Sequence, residues 1–522
     1  MNNKIILAAA ISIAAMQANA VPFAPTDARA TAMGGTGVAS AKTVRATQFN
    51  PSLLSLADDS DDFGILLPQL GVYASDEDEF VESADQFVEN EFATAFEQSV
   101  TDIEVAVSSA TASYDAVKLA IDNDDLTALL DANDILTQGV SDLKLGTDSL
   151  KSATDNLNYG LRTLSDKAVR GGLGLATGIA IPSNKFSVAL SVNNSTTFSG
   201  LLRISESDLS TLSNYTNAAN AYATVLDDYS TASNDATSTL AAIKNETDPD
   251  ELARLESQFN DDKIALENQK NALEGFNYGG NSTSADDGEQ VIFQNGELAP
   301  DADSITLQSE AQIVAVAITE IAMSISSEFD ISGQDVAIGI TPKMQRVDVY
   351  DYTANVEDSF ESDDISDYGI DDMGFNMDLG AAMRFGNLDQ GKVGLVVKNL
   401  ISRKITSVKG KVVQIEPQIR AGVAYSFGKW VNLAADIDLI ENKPVAFEDP
   451  TQFVGVGAEL DLYGVMQTRI GYRSNMVSSG QDIVSAGLGF SPFGVHMDLG
   501  FYANTSKPEK EAGVVFETGV DW

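Results

Sequence analysis

Val495-His496-Met497-Asp498-Leu499-Gly500-Phe501 alternates without a slip: Val, Met, Leu and Phe fall on one side of an extended chain, His, Asp and Gly on the other. Successive side chains of a strand point to opposite faces, so this stretch belongs to a sheet with one face against something apolar. The pattern recurs in Phe375-Asn376-Met377-Asp378-Leu379, in Val413 to Arg420, in Val431-Asn432-Leu433 and in Asp436-Ile437-Asp438-Leu439, bounded each time by turn-forming residues. Counted along the chain, fourteen strands are expected, near residues 62–74, 169–181, 185–199, 304–328, 334–349, 372–385, 392–400, 412–426, 430–440, 452–462, 465–474, 482–490, 494–503 and 511–522.

A soluble sandwich would bury such faces against a second sheet. The connections argue against that. Joins after even-numbered strands are tight, as at Pro182-Ser183-Asn184 and Ser491-Pro492-Phe493-Gly494, whereas joins after odd-numbered strands are longer and include two large insertions. A transmembrane β-barrel alternates in this way, with short periplasmic turns at one rim and long extracellular loops at the other. The expected fold is therefore an all-β transmembrane barrel of about fourteen antiparallel strands in the outer membrane. Val514, Phe516, Thr518, Val520 and the terminal Trp522 share one face, and a terminal aromatic of this kind is the signal that a barrel assembly machinery would read. Phe385, Tyr425, Phe427, Trp430, Tyr463, Phe490, Phe493, Phe501 and Tyr502 cluster near strand ends, as interface girdles would.

Residues 1–20 read as an export signal, with Lys4, an apolar run and the small-residue site Ala18-Asn19-Ala20. The remainder divides into a segment 21–56 ahead of the first strand and a barrel 57–522, interrupted at 75–167 and 205–303. Within both insertions Leu, Phe, Ile and Val recur at helical spacing, which predicts amphipathic helices in antiparallel pairs on the extracellular side. The 522 residues hold no Cys, so disulfides and thiolate chemistry are excluded. A formal charge of -45, from 77 acidic against 32 basic residues, argues against nucleic acid as a partner. Acid runs such as Asp76-Glu77-Asp78-Glu79 could attract calcium, but no twelve-residue loop with its glycine and final glutamate is present. No metal or other cofactor is expected.

If the apolar side chains face lipid, their neighbours face the lumen. That face offers Lys343, Arg384, Lys392, Lys398, Arg420, Arg469 and Arg473 with Asp378, Glu416, Asp436, Asp438, Glu459, Asp498, Glu517 and Asp521. These form either a charged conduit or ion pairs that hold the barrel closed. His496 shares a face with Asp498, and Ser485 lies on the preceding strand, but nothing marks that serine as a nucleophile, and no enzymatic activity is expected.

The segment before the first strand, DARATAMGGTGVASAKTVRATQFNPSLLS, holds a glycine cluster that could suggest a phosphate cradle. Neither a preceding buried strand nor a third glycine at position 40, which is Ser40, supports that reading. Ala28-Arg29, Ala32-Met33-Gly34-Gly35-Thr36-Gly37-Val38-Ala39 and Asn50-Pro51-Ser52-Leu53-Leu54 instead resemble the amino-terminal motifs of FadL-type outer-membrane proteins, with Ser52 where that family usually has alanine. The acidic helical insertions, the strand end Val396 to Leu400 and the overall length resemble the conjugal-transfer TraF-like outer-membrane proteins within that superfamily. The resemblance implies a fourteen-stranded barrel in the outer membrane of a Gram-negative bacterium. Its amino-terminal segment would fold into the lumen as a plug, through Arg29, Met33, Gly34, Gly35, Gly37, Asn50 and Pro51. It further implies passive transport of small hydrophobic or amphipathic molecules, with outer-membrane lipid and a hydrophobic ligand as partners. The alternative is a surface or structural protein, in conjugal transfer or cell contact, that uses the acidic helices. Small residues suit a chain threaded through a crowded lumen, and Arg29 is expected to pair with Glu416 or Asp436.

Overall fold

β1 (Gly64–Ser75) pairs with β2 (Ala168–Ile181) on one side and with the last strand, β14 (Glu511–Asp521), on the other, so the sheet has no edge. Between them run β3 (Ser187–Arg203), β4 (Glu310–Asp330), β5 (Asp335–Asn355), β6 (Gly369–Phe385), β7 (Gly391–Lys398) and β8 (Gln418–Phe427). The circuit is completed by β9 (Val431–Asp438), β10 (Phe453–Leu462), β11 (Met466–Asn475), β12 (Ile483–Phe490) and β13 (Val495–Asn504), and all neighbours are antiparallel. This computed structural model describes residues 27–57, 62–122, 126–183, 185–279, 291–299, 307–356, 368–386, 389–443, 447 and 449–521. The expected export signal, the first residues of the plug segment and Trp522 lie outside them.

The outer surface carries the alternation through. Along β13, Val495, Met497 and Phe501 are exposed while His496, Asp498 and Tyr502 are buried inward. Ile470, at 66% exposure in the middle of β11, and Leu488, at 58% in β12, have no protein neighbours to cover them. A closed barrel satisfies its backbone hydrogen bonds internally, so an apolar belt around it is stable only in lipid. Among the described residues no helix is long and apolar enough to cross a membrane, so the strands are the spanning elements. The protein is an outer-membrane β-barrel.

One expected strand divides. Val412–Ile415 pairs with Arg403–Thr406 in a separate hairpin, and the wall resumes only at Gln418. Pro417, between them, has no N–H to donate to a ladder. Glu416 therefore sits in the linker, half-buried, and not at a lumen-facing wall position. The hairpin folds inward and packs Ile405, Val413 and Ile415 against Val314, Val316 and Ile318 of β4 and Val347 and Val349 of β5. Tyr502 is a second correction, since it points inward and takes no part in the aromatic girdle.

Among the described residues the insertions form five helices: α1 (Phe80–Glu89), α2 (Phe92–Asp122), α3 (Leu126–Leu164), α4 (Glu206–Asn245) and α5 (Pro249–Glu274). The starts of α4 and α5 are capped, Ser205 accepting from the Ser207 N–H and Asp248 from those of Asp250 and Glu251. Leu136, Leu143, Leu226 and Tyr229 join one core drawn from both insertions, and the Tyr114 and Tyr229 rings meet edge-on at 4.9 Å. At 1.5 Å per residue, α3 and α4 are about 60 Å long. The acidic turn at the foot of α1 is occupied by basic side chains: Asp78 binds Arg170 at 2.8 Å, and Glu79 meets Lys507 at 3.3 Å and Lys510 at 3.0 Å.

Two expectations follow. Ile470→Arg, at mid-membrane depth on the lipid face, should destabilise the folded barrel by about 2–4 kcal/mol in urea titrations in vesicles. Burial, and then the neighbouring Glu511 carboxylate, pushes Glu77 up to about 7 from 4.5. The docked turn thus holds a proton that the released turn does not, and its stability falls as pH rises from about 4.5 through 7. Glu77→Gln should remove that dependence and slow amide exchange at residues 76–79 at pH 8, by up to about 3 kcal/mol; equal pH profiles for the two proteins would contradict this.

Candidate functional site

Residues 27–56 run through the lumen, and almost all are buried. The Asp27 carboxylate caps the short helix Ala28–Ala32 by accepting from the Ala30 N–H at 2.5 Å. Gly34 and Gly35 then take φ of 72° and 79°, left-handed values that suit glycine, and the Gly35 N–H closes the turn on the Ala30 carbonyl at 2.8 Å. Further on, Asn50 caps the turn Pro51–Leu56: its side-chain oxygen accepts from the Ser52 N–H at 3.2 Å and the Ser52 hydroxyl at 2.6 Å. The Asn50 amide also donates to the carbonyls of Val38 and Ala381, tying plug to plug and plug to wall. Ser52, where alanine was the family expectation, thus strengthens the cap.

Where the plug passes closest, the wall positions are glycine. A Cβ on Gly455, Gly457 or Gly471 would lie under 3.0 Å from Met33 or Gly34. On Gly487 it would meet Ala32, on Gly500 Ala28, on Gly394 Val38, on Gly380 Asn50 and on Gly339 Pro51 and Ser52, all under 3.0 Å. Gly339 pairs in register with Gly380, Gly394 with Gly422, Gly457 with Gly471 and Gly487 with Gly500, so these positions form a belt around most of the barrel. Glycine inside a strand marks close backbone approach, and here the approaching backbone is the plug. With strands about 4.8 Å apart and tilted about 40°, fourteen of them enclose a ring about 28 Å across.

Ion pairs fix the plug's orientation. Arg29 binds Glu459 of β10 through two nitrogens, at 2.8 and 3.1 Å, and donates to the Ser40 carbonyl at 2.9 Å. Its partner is neither Glu416 nor Asp436; the Asp436 carboxylate accepts instead from the Gly37 and Val38 N–H groups at 2.7 and 2.9 Å. Arg469 joins Glu459 to Asp498 at 2.7 and 2.5 Å. Arg45 of the plug binds Asp498 at 2.7 Å, pairs with Glu517 and lies 3.6 Å from Asp27. On the opposite wall the relation reverses, and cations meet plug carbonyls: Lys398 donates to Gln48, Lys392 to Leu56 and Arg384 to Ala57. Lys343 with Glu320 and Asp378, and Arg420 with Asp438, are pairs within the wall.

His496 lies 3.5 Å from Glu517 and 3.2 Å from Asp521, while Asp498 is taken by two arginines and the Ser485 hydroxyl accepts from the Gly34 N–H at 3.1 Å. These three side chains therefore make no triad. His496, Asp498 and Glu517 could converge on a metal ion, but the Arg45 guanidinium already bonds to both carboxylates. Asp27, Arg45 and the glycine belt were not singled out from the sequence. The belt was visible there, as glycines recurring at inward positions of alternating strands.

On the side of the long connections, the plug borders a cavity of about 40 Å³ lined by Thr31, Phe49, Asp436, Phe453, Arg473, Ile483 and Tyr502 among others. Among the described residues Thr31 Oγ1, Asp436 Oδ1 and Arg473 Nε have no hydrogen-bond partner there, and the Arg473 guanidinium stacks 4.4 Å over Phe453. A space of that size holds only a few waters. At the rim of short turns a vestibule of about 440 Å³ opens, lined by plug residues Arg29, Met33, Ser40 and Lys42 and by wall residues including Lys392 and Asn432.

A closed lipid-facing barrel with an occupied lumen defines the class. The family model described as "F plasmid transfer operon, TraF, protein" matches residues 47–438, and the chain belongs to that family. No curated protein matches it. Among solved structures, the toluene transporter TbuX of Ralstonia pickettii is similar at 9% identity and a TM-score of 0.43, over 95% of this chain and 98% of that one. A FadL homologue of Pseudomonas aeruginosa is similar at 8% identity and 0.42, over 97% and 99%. The Pseudomonas putida toluene transporter TodX gives 9% and 0.41, over 95% and 98%.

Arg45→Ala would leave Glu517 and Asp498 buried beside one fewer cation. It should weaken the seating of the plug by about 3–5 kcal/mol, seen as faster amide exchange across residues 27–56 while the strands stay protected. Gly457→Val should release the stretch around Met33 and spare the Asn50 end; uniform protection in both variants would contradict the seat.

Proposed function

We propose that this protein is a gated barrel for passive transport of small hydrophobic or amphipathic molecules across the outer membrane, with residues 21–56 as the gate. The observation that carries the reading is the glycine belt. Where β5 to β8 and β10 to β13 give up side chains the space is filled by the plug, so displacement of the plug would leave an opening bounded there by backbone. The cavity bordering the plug supports a ligand of mixed character, since Phe49, Phe453, Ile483 and Tyr502 offer apolar surface beside Thr31, Asp436 and Arg473. It holds no such ligand without expanding, and its walls include the plug itself. Binding there would favour a shifted plug.

Single-channel recording tests this. The full barrel should be silent or flicker, and a variant lacking Val21 to Leu54 should carry steady current. If both stay silent, or both conduct alike, the plug is not the gate.

A second reading has an observation of its own. The helical insertions share one core, and with 21 acidic against 5 basic residues in 75–167 and 20 against 4 in 205–303 they carry -32 of the -45 charge. This favours a surface domain that contacts a partner, with the barrel as anchor. Deletion of residues 80–165 should then abolish cell contact or transfer and leave the barrel assembled.

A further inference from the structure

Apart from the wall residues that pack against the plug, such as Leu66, Ala176, Ala337 and Ala382, the lumen-facing wall carries an apolar patch under the hairpin. Val316 faces Val349 and Ile318 faces Val347 across β4 and β5, and with Val314 they make an apolar patch on the inner face, next to the ring of Glu320, Lys343 and Gln345. In a water-accessible lumen such a patch is costly, and Ile405, Val413 and Ile415 of the hairpin cover it completely, each under 5% exposed. The cover is a small element, tied at its first linker where the Ile401 N–H donates to Asn376 Oδ1 and the Asn376 amide donates to the Ile401 carbonyl. A two-stranded hairpin is marginal on its own, and the polar contacts holding this one include Arg403 to Asp372 and to the Gln345 carbonyl and Ser407 to Asp351. It hangs between Asn399, whose φ is 53°, and Pro417, so its linkers are irregular at both ends.

We propose that the Val314–Val349 patch is a binding site for a small amphiphile, an apolar body with one polar head, and that the hairpin occupies it until such a molecule displaces it. The apolar body takes the place of Ile405, Val413 and Ile415. The head reaches the amide and carboxylate groups around Gln345 at the lower edge. The patch lies on β4 and β5 toward the rim of long connections, and the hairpin that covers it is the connection between β7 and β8, so it is where a molecule coming from outside first meets this apolar wall. The proposal rests on the transport reading for its purpose, though not for its test.

The chain has no cysteine, so a single introduced thiol reports alone. Val413→Cys and, separately, Ile405→Cys place the thiol on the covered face of the hairpin, and Thr341→Cys places one on the wall beside the plug. Labelling by a membrane-impermeant maleimide is followed in vesicles, with 1-octanol as the probe. A ligand at ten times its dissociation constant raises the open population about tenfold, so octanol should speed labelling at 413 and 405 about tenfold and leave 341 unchanged. Adding Val349→Asn to the Val413→Cys protein should raise basal labelling and remove the octanol response. The proposal is overturned if octanol leaves 413 and 405 unaffected, if it accelerates 341 equally, or if the response survives Val349→Asn. A hairpin that responds in a barrel whose plug deletion carries no current keeps this site and removes the transport reading; a conducting deletion with an unresponsive hairpin does the reverse.

Discussion

The approach of one backbone to another governs this molecule. Gly34 of the plug comes so close to Gly455 and Gly471 of the wall that no side chain fits on either side, the Ala28 backbone approaches Gly500 as closely, and at Gly380 the bare wall makes room for the Asn50 side chain. Where the wall gives up its side chains, the plug supplies the core: Met33, Leu54 and Leu56 are among the most completely buried large residues in the protein. Plug and wall are therefore matched in shape at many points, and neither fills the lumen alone. A barrel that needed only to be closed could close itself with its own side chains, as small barrels do. Building the closure from a separate segment fits the gating proposed above, in which that segment is displaced.

Charge decides which way the plug lies. Its arginines meet the carboxylates of β10, β13 and β14, and its carbonyls meet the lysines and arginine of β6 and β7. Rotation of the plug would bring cation to cation on one wall and leave carboxylates bare on the other. Pairs of this kind give less net stability than their short distances suggest, because both charges gave up water to form them. The same accounting favours release. Were the plug displaced as proposed, Arg29, Glu459, Arg45 and Glu517 would regain hydration, so part of the lost attraction would be returned. Such a clamp specifies one seat strongly and holds it with moderate energy.

What could be read in advance follows from where the surroundings impose a period. Lipid imposes period two on every wall strand, so all fourteen strands were legible within a few residues, and the helices were legible from their apolar spacing. The run from Val413 to Arg420 misled because a hairpin with one covered face alternates just as a wall strand does, and only Pro417 hinted at the break. Glu416 went with it. The lumen-facing positions of Lys343, Asp378, Arg420, Asp436, Glu459, Arg469 and Asp498 followed from parity along the strands. Their partners did not, since Arg29 and Glu459 are 430 residues apart and no local rule joins them. Tyr502 was assigned to the girdle from its place near a strand end, whereas its parity opposite Phe501 already turned it inward.

Two closures stand in series. The plug blocks the lumen at the glycine belt, the hairpin covers the wall nearer the long connections, and the cavity that borders the plug has room for only a few waters. A barrel in the outer membrane couples to no energy source of its own, so only differential binding can shift these elements. Each closure is also bounded by surface that a solute would want: valines and isoleucines under the hairpin, and Phe49, Phe453 and Tyr502 beside the plug. A solute that gains apolar contact by displacing the first closure is thereby brought nearer the second, and neither step has to open the whole lumen to water at once. The two elements would then act as successive binding equilibria: the hairpin governs access to the apolar wall, and the plug alone bars the lumen, so leakage follows the small unliganded population in which the plug is displaced.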